Sequence, residues 1–173
     1  MIVVKIGGSL WASGIDGIVR DLASIAARDV KFVTVHGGAA EVSAMSDKLG
    51  KKPVFIVSPS GVRSRYTDRE TVEIYQMVMA GKLNKNLVAM LEREGVRAIG
   101  LCGLDGLLLR AQRKEKLLVI DERGRRRMID GGFTGKPLSV NGALLNAILR
   151  EGYMPVVAPV ALGEEFEPLN LDS

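Results

Sequence analysis

Cysteine and histidine are almost absent. One of each, Cys102 and His36, in 173 residues excludes an internal disulfide framework and the common Cys/His zinc clusters. No apolar run approaches the roughly 20 residues needed to cross a bilayer. The chain opens on a strand-like segment in place of a signal peptide, so the expected location is the cytoplasm, away from membranes. Several strong motifs are missing as well. The nearest approach to a G-x-x-x-x-G-K-S/T phosphate loop, at residues 131–137, has the wrong spacing and a proline after the lysine. G-x-G-x-x-G, G-x-S-x-G and H-E-x-x-H do not occur, and dinucleotide binding, α/β-hydrolase chemistry and zincin chemistry lose support.

What is present describes an ordinary folded domain. Apolar residues make up 47% and charged residues 25%, and the low hydrophobicity and high net charge of disordered chains are both missing. The net charge of +4 is unevenly spread. Between positions 110 and 127, eight basic residues face Glu115, Asp121 and Glu122, a local excess of five, so the remainder sums to −1. Such a patch suits an anionic partner or is simply a solvated hairpin surface. Only Phe133 lies near it, and base stacking needs interleaved aromatic residues, so nucleic acid is not expected as the partner.

The pattern along the chain is parallel α/β. Ile2–Ile6 reads as a buried strand closed by Gly7-Gly8, and a helix follows from Ile15 with apolar residues at helical spacing. Residues 32–35 repeat the pattern as a strand closed by His36-Gly37-Gly38, with a helix to about Leu49. Residues 54–57 form a third strand. A polar loop then carries Arg63 and Arg65 into the longest helix, 68–93, started by a Thr67/Glu70 capping box. Ile74, Met77 and Val78 make the apolar face of that helix wider than one sheet needs, which points to a subunit contact or to extra core. A strand at 97–101 and short alternating strands at 107–110, 117–120 and 126–129 follow, then a helix at 138–150, a buried strand at 155–160 and a polar tail. No linker or repeat divides the chain.

Lys5 stands near the end of the first strand, where α/β folds place ligands. Glycines at 7 and 8 let backbone N–H groups approach an anion, and the next helix N-terminus favours negative charge. The alternative is a structural turn with a snorkelling lysine. His36, alone after its strand, reads better as a satisfied packing residue than as an acid or base. One of Arg63 and Arg65 would clamp a carboxylate bidentately; otherwise both are exposed and unused. Asn170 and Asp172 follow the last strand and would line the same crevice.

These segments together resemble the amino acid kinase family. K-I-G-G-S-L at 5–10, V-H-G-G at 35–38, R-Y-T-D at 65–68, G-K-L-N-K at 81–85, G-L-D-G at 103–106, G-F-T-G-K at 132–136, P-V-V-A-P at 155–159 and L-N-L-D at 169–172 match in order and spacing. Within the family the chain is similar to N-acetylglutamate kinases. R-Y-T-D and G-F-T-G-K are closer to an archaeal-type branch that phosphorylates aminoadipate or glutamate held on a small acidic amino-group carrier protein.

The resemblance implies an α/β fold, a three-layer α/β/α sandwich with a mainly parallel sheet. This chain would be its N-terminal, substrate-binding half with a small β-hairpin insertion. It implies phosphoryl transfer from ATP, with Mg2+ accompanying the nucleotide, to a side-chain carboxylate on the route to lysine, ornithine or arginine. Lys5 would be catalytic. Gly7 and Gly8 would bind phosphate, Gly37, Gly38, Ala39, Arg65 and Asn170 would bind substrate, and no residue would ligate a metal. Arg65 is chosen over Arg63 because it stands two before the Thr-Asp pair. A homodimer through the 68–93 helix and an acidic carrier steered to the basic patch complete the expectation.

Two departures stand out. Ala39 replaces the family's usual third glycine, and the Asn-x-Asn/Asp-x-Asp motif is cut at Ser173. The nucleotide-binding lobe is therefore expected outside these residues, and the 173 residues alone are expected to turn over little or no ATP. The alternatives are an N-acetylglutamate kinase, or a non-catalytic binding or dimerisation module.

Overall fold

A computed structural model describes residues 2–171; Asp172, expected near the site, lies outside them. In chain order, β1 (Ile2–Ile6) leads through Gly7-Gly8 to a single turn, α1 (Leu10–Ser13), and to α2 (Asp16–Ala26). Then β2 (Phe32–His36) leads through Gly37-Gly38 to α3 (Ala39–Lys48). A hairpin follows, β3 (Phe55–Val57) with β4 (Arg63–Arg65). Next come α4 (Arg69–Gln76), a π-helical stretch (Met77–Leu83) and α5 (Asn84–Arg93), helical without a break. The rest is β5 (Ala98–Cys102), β6 (Leu109–Arg113), β7 (Lys116–Ile120), β8 (Arg126–Asp130), β9 (Gly135–Val140), α6 (Gly142–Arg150), β10 (Met154–Ala158), β11 (Val160–Leu162) and β12 (Pro168–Asn170).

The main sheet has the order β1-β2-β10-β5 and is parallel throughout. Parallel neighbours require crossover helices, and these cover both faces. Gly100 on β5 lies under Asn84 and Val88 of α5. Its neighbour Ile99 borders a depression shared with Ala147 and Ile148 of α6. Successive strand residues face opposite sides, so α5 and α6 sit on opposite faces and the chain is an α/β/α sandwich. Leu22 of α2, Leu87 and Leu91 of α5, Phe32 and Val156 of the sheet and Leu149 of α6 fill the core. The central strand β10 is buried at all five positions. A second sheet, β12-β11-β6-β9, is mixed, and β7–β8 is a separate hairpin. Among the described residues no helix is long and apolar enough to cross a membrane.

Several local expectations are corrected. β1 is an edge strand, paired on one side only, so Ile2 and Val3 are 53% and 61% exposed and Ile6 alone is fully buried. The third strand does not join the parallel sheet. It pairs antiparallel with 63–65, turning the supposed polar loop into a hairpin. The cap of α4 is Asp68, whose side chain accepts from Thr71 N at 2.8 Å, one residue later than the Thr67/Glu70 box. Residues 138–140 finish β9, and α6 starts after Asn141, which caps it through Leu144 N. The polar tail contains β12, held by Leu169 in the core. Ile74 and Val78 are 3% and 1% exposed within the chain's own core. The width of that helix face is thereby explained without a subunit contact, leaving Met77 exposed.

A candidate substrate cavity at the ends of the parallel strands

The register brings the two glycine turns together. Lys5 pairs with Val35 and Ile6 with His36, so both turns leave the carboxyl edge of the sheet side by side. A Cβ on Gly8 would lie 2.8 Å from Gly38 N and 3.3 Å from Ala39 N, so only a glycine lets the turns touch. One on Gly38 would overlap Leu83 and Met79 of the π-helical stretch. The amides of Gly8, Gly38 and Ala39 donate to no acceptor among the described residues. Gly38 and Ala39 open α3, where free N–H groups and the helix dipole favour an anion.

Beside these amides is a cavity of about 300 Å³, walled by Gly37, Gly38, Ala39, Phe55, Val62, Arg63, Ser64, Arg65, Tyr75, Met79, Asn170 and Leu171. All five expected substrate-binding residues are among them. Arg65 is half-buried. Its Nη2 donates to Ala39 O (2.7 Å) and Ser43 Oγ (2.6 Å), and its buried Nε has no partner. Burial pushes the guanidinium below its usual pKa, yet an arginine keeps its proton. No carboxylate pairs with it among the described residues. Arg63 lines the same wall but stacks on Phe55 at 3.6 Å from the ring centroid.

Asn170 Nδ2 donates to Thr67 Oγ1 at 3.0 Å. Thr67 is fully buried and also accepts Phe133 N on its carbonyl, at 2.7 Å. This threonine ties the R-Y-T-D and G-F-T-G-K segments to the last strand. The sequence reading assigned it only to a cap, and the R-Y-T-D match was the one signal available. Tyr75 Oη closes the floor, its single hydrogen facing Pro159 O (3.2 Å) and Leu171 O (3.1 Å).

Lys5, Gly7 and Gly8 do not line this cavity. Gly8 borders it through Gly38, and the exposed Lys5 side chain has no hydrogen bond or ion pair among the described residues. His36 is the packing residue expected: fully buried, edge-on to Trp11, and held below its usual pKa by burial.

A larger groove, about 750 Å³, lies between the β3–β4 and β7–β8 hairpins, and its walls include Phe55, Val57, Val119, Arg123, Arg125 and Arg127. Phe55 borders both spaces. Arg125 is tied to Asp121 at 3.0 Å, whereas Arg123 and Arg127 have no ion pair among the described residues. Arg126, between them, belongs to the other face of β8.

A parallel α/β domain with two bare-amide turns, a lysine and, among the described residues, an arginine without a carboxylate partner at one sheet edge has the donors that an anionic small molecule would need. The profile of the amino acid kinase family matches residues 1–173, and the chain belongs to that family. It is 44% identical over 173 residues to a LysW-aminoadipate/LysW-glutamate kinase of Saccharolobus islandicus (strain L.S.2.15 / Lassen #1), covering 99% of this chain and 64% of that one. A protein of Cenarchaeum symbiosum (strain A), provisionally given the same name, is 49% identical with the same two coverages. The chain thus spans a little under two thirds of the length of these relatives. Among solved structures, smu.665 from Streptococcus mutans UA159 superposes with a TM-score of 0.76 at 20% identity, covering 98% of this chain and 62% of that one, a likeness of fold.

Proposed function

We propose that the complete protein is a kinase that transfers the γ-phosphoryl group of ATP to the side-chain carboxylate of 2-aminoadipate or glutamate carried on an acidic amino-group carrier protein. The observation that carries this reading is Arg65, a half-buried cation with no carboxylate partner among the described residues, set on the wall of a cavity completed by the amides of Gly38 and Ala39 and by Asn170. A buried charge of this kind calls for an anion from outside. In this reading Arg65 binds the free carboxylate, and Gly37, Gly38, Ala39 and Asn170 orient the rest of the substrate.

The residues at the sheet edge fit a phosphate group. Among the described residues Lys5 offers an uncommitted ammonium, and Gly7-Gly8 is a turn whose second amide donates to no acceptor. When bound, the nucleotide with its Mg2+ supplies the phosphoryl group. Lys5 and the glycine amides contribute positive charge and preorganised donors where negative charge develops. The 173 residues serve as the amino-acid-binding lobe, with the nucleotide-binding lobe in the rest of the protein. The 64% coverage of the relatives supports this division.

The carrier belongs in the arginine-lined groove. Its wall Phe55 is also a wall of the substrate cavity, so an acidic protein seated there can present a tethered side chain to Arg65. Cytoplasmic location, a homodimer, and a place in lysine or arginine biosynthesis complete the reading.

The test is acyl-phosphate formation by the full-length protein, trapped with hydroxylamine. Carrier-bound aminoadipate or glutamate should be used far better than free N-acetylglutamate. Equal or better use of the free compound makes the protein an N-acetylglutamate kinase, and no acyl phosphate from either refutes kinase activity. Light scattering of the same preparation tests the dimer.

A further inference from the structure

His36 and Asn84 are both fully buried, an unusual pair to keep in a core unless each polar atom has a task. Asn84 follows the π-helical stretch Met77–Leu83. Its Nδ2 faces three acceptors on three adjacent strands: Val156 O at 2.9 Å, His36 Nε2 at 3.3 Å and Leu101 O at 3.4 Å. Lys85 Nζ donates to its Oδ1 at 3.2 Å and to Gly100 O at 2.9 Å. Two carbonyls on one side and an ammonium on the other leave the amide a single orientation. Nδ2 is therefore the donor toward His36, and Nε2 must accept.

That settles the imidazole. With Nε2 accepting, a neutral ring carries its proton on Nδ1, which lies 3.3 Å from Gly37 O. Trp11 Nε1 donates to the same oxygen at 2.8 Å. The Gly37 carbonyl thus meets two donors. In a trans peptide the carbonyl and the following N–H point in opposite directions, and there is no cis bond among the described residues. The following N–H is that of Gly38, on the wall of the 300 Å³ cavity.

We infer that His36 and Asn84 are positioning residues: the Asn84 amide selects the Nδ1-protonated imidazole of His36, which together with Trp11 clamps the Gly37–Gly38 peptide so that Gly38 N–H is presented to the ligand. The inference rests on the proposed function only in supposing that the ligand is an amino-acid carboxylate or its phosphorylated form. The π-helical stretch has a part here, since it seats Leu83 and Met79 against Gly38 and starts the next turn at Asn84. Such stretches recur at functional sites in helices.

The test uses nitrogen-15 NMR of the complete protein, wild type and two variants, with N-acetyl-2-aminoadipate as the probe. The wild-type imidazole should be protonated on Nδ1. Asn84→Asp places an acceptor beside Nε2, which should move the proton there, shift the Gly38 amide resonance and weaken probe binding about tenfold. His36→Asn, whose side-chain amide occupies the place of Nδ1, should keep binding within about threefold. A wild-type ring protonated on Nε2 overturns the inference. So does a Gly38 resonance that stays in place in Asn84→Asp. If the wild type binds no probe while ring and amide respond as stated, the positioning role stands and the proposed function is what fails.

Discussion

Under the proposed function, Lys5 matters for chemistry and hardly at all for folding. It is exposed and makes no contact with another charged or polar group among the described residues. Lys5→Met should therefore change the urea midpoint by less than about 0.5 kcal/mol of stability, while lowering kcat of the full-length protein by about 10²-fold or more. Loss of stability in step with activity would assign it a structural role. His36 is the reverse case. Burial pushes its pKa down, only partly offset by the hydrogen bond to Gly37. The unfolded chain then binds more protons than the folded one once the pH falls below about 6.5, so stability declines from there toward the folded value. As the chain's one histidine, it should account for that limb. Urea unfolding at pH 7.5 and pH 5 should show the decline in the wild type and little of it in His36→Asn.

At the scale of elements, the rod running from α4 to α5 organises the molecule. Its start depends on Asp68, which caps Thr71 N and meets Lys51 at 2.7 Å, and Lys51 also reaches Glu70 at 2.8 Å. Burial raises the Asp68 pKa, but the hydrogen bonds from Lys51 and Thr71 outweigh it and the net direction is down. The contribution is therefore complete above the unfolded carboxylate value of about 3.9 and is lost as the pH falls through the folded value. Asp68→Ala should cost about 1 to 2 kcal/mol by chemical denaturation at pH 7. Asp68→Asn keeps the cap and should cost less, with a shallower loss near pH 3. A cost equal to that of alanine would show that the ion pair, not the cap, is what counts. Strands and helices repeating every few residues were legible because their periodicity is local. The helix assigned to 138–150 was not fully so: Leu138 and Val140 are apolar enough for a helix, and only pairing with β6 makes 135–140 a strand.

At the scale of the whole molecule, the two cavities meet at Phe55, and charge is concentrated around the larger one. Reversing Arg123 and Arg127 to glutamate should weaken binding of an acidic carrier at least about tenfold and flatten its dependence on salt, because both line the groove and neither has an ion pair among the described residues to leave behind. Arg126→Glu, on the opposite face of β8, should do much less. Titration calorimetry at two salt concentrations distinguishes them, and equal effects of all three reversals would reduce the groove to general surface charge. Sequence counting saw the excess of five charges but had no means of telling Arg126 from its neighbours, since that depends on which face of a hairpin turns toward Phe55.

The linear order of residues was enough for the family, the parallel α/β architecture and the two glycine turns, because each is written in contiguous motifs whose chemistry is local. Tertiary packing settled the rest. Asn170 and Thr67 meet across 103 positions, Asn84 and His36 across 48, and Phe55 becomes a wall between two spaces through hairpins far apart in the chain. Contacts of that kind arise when distant segments converge on one sheet edge, and the spacing of residues along a strand or helix holds no record of them.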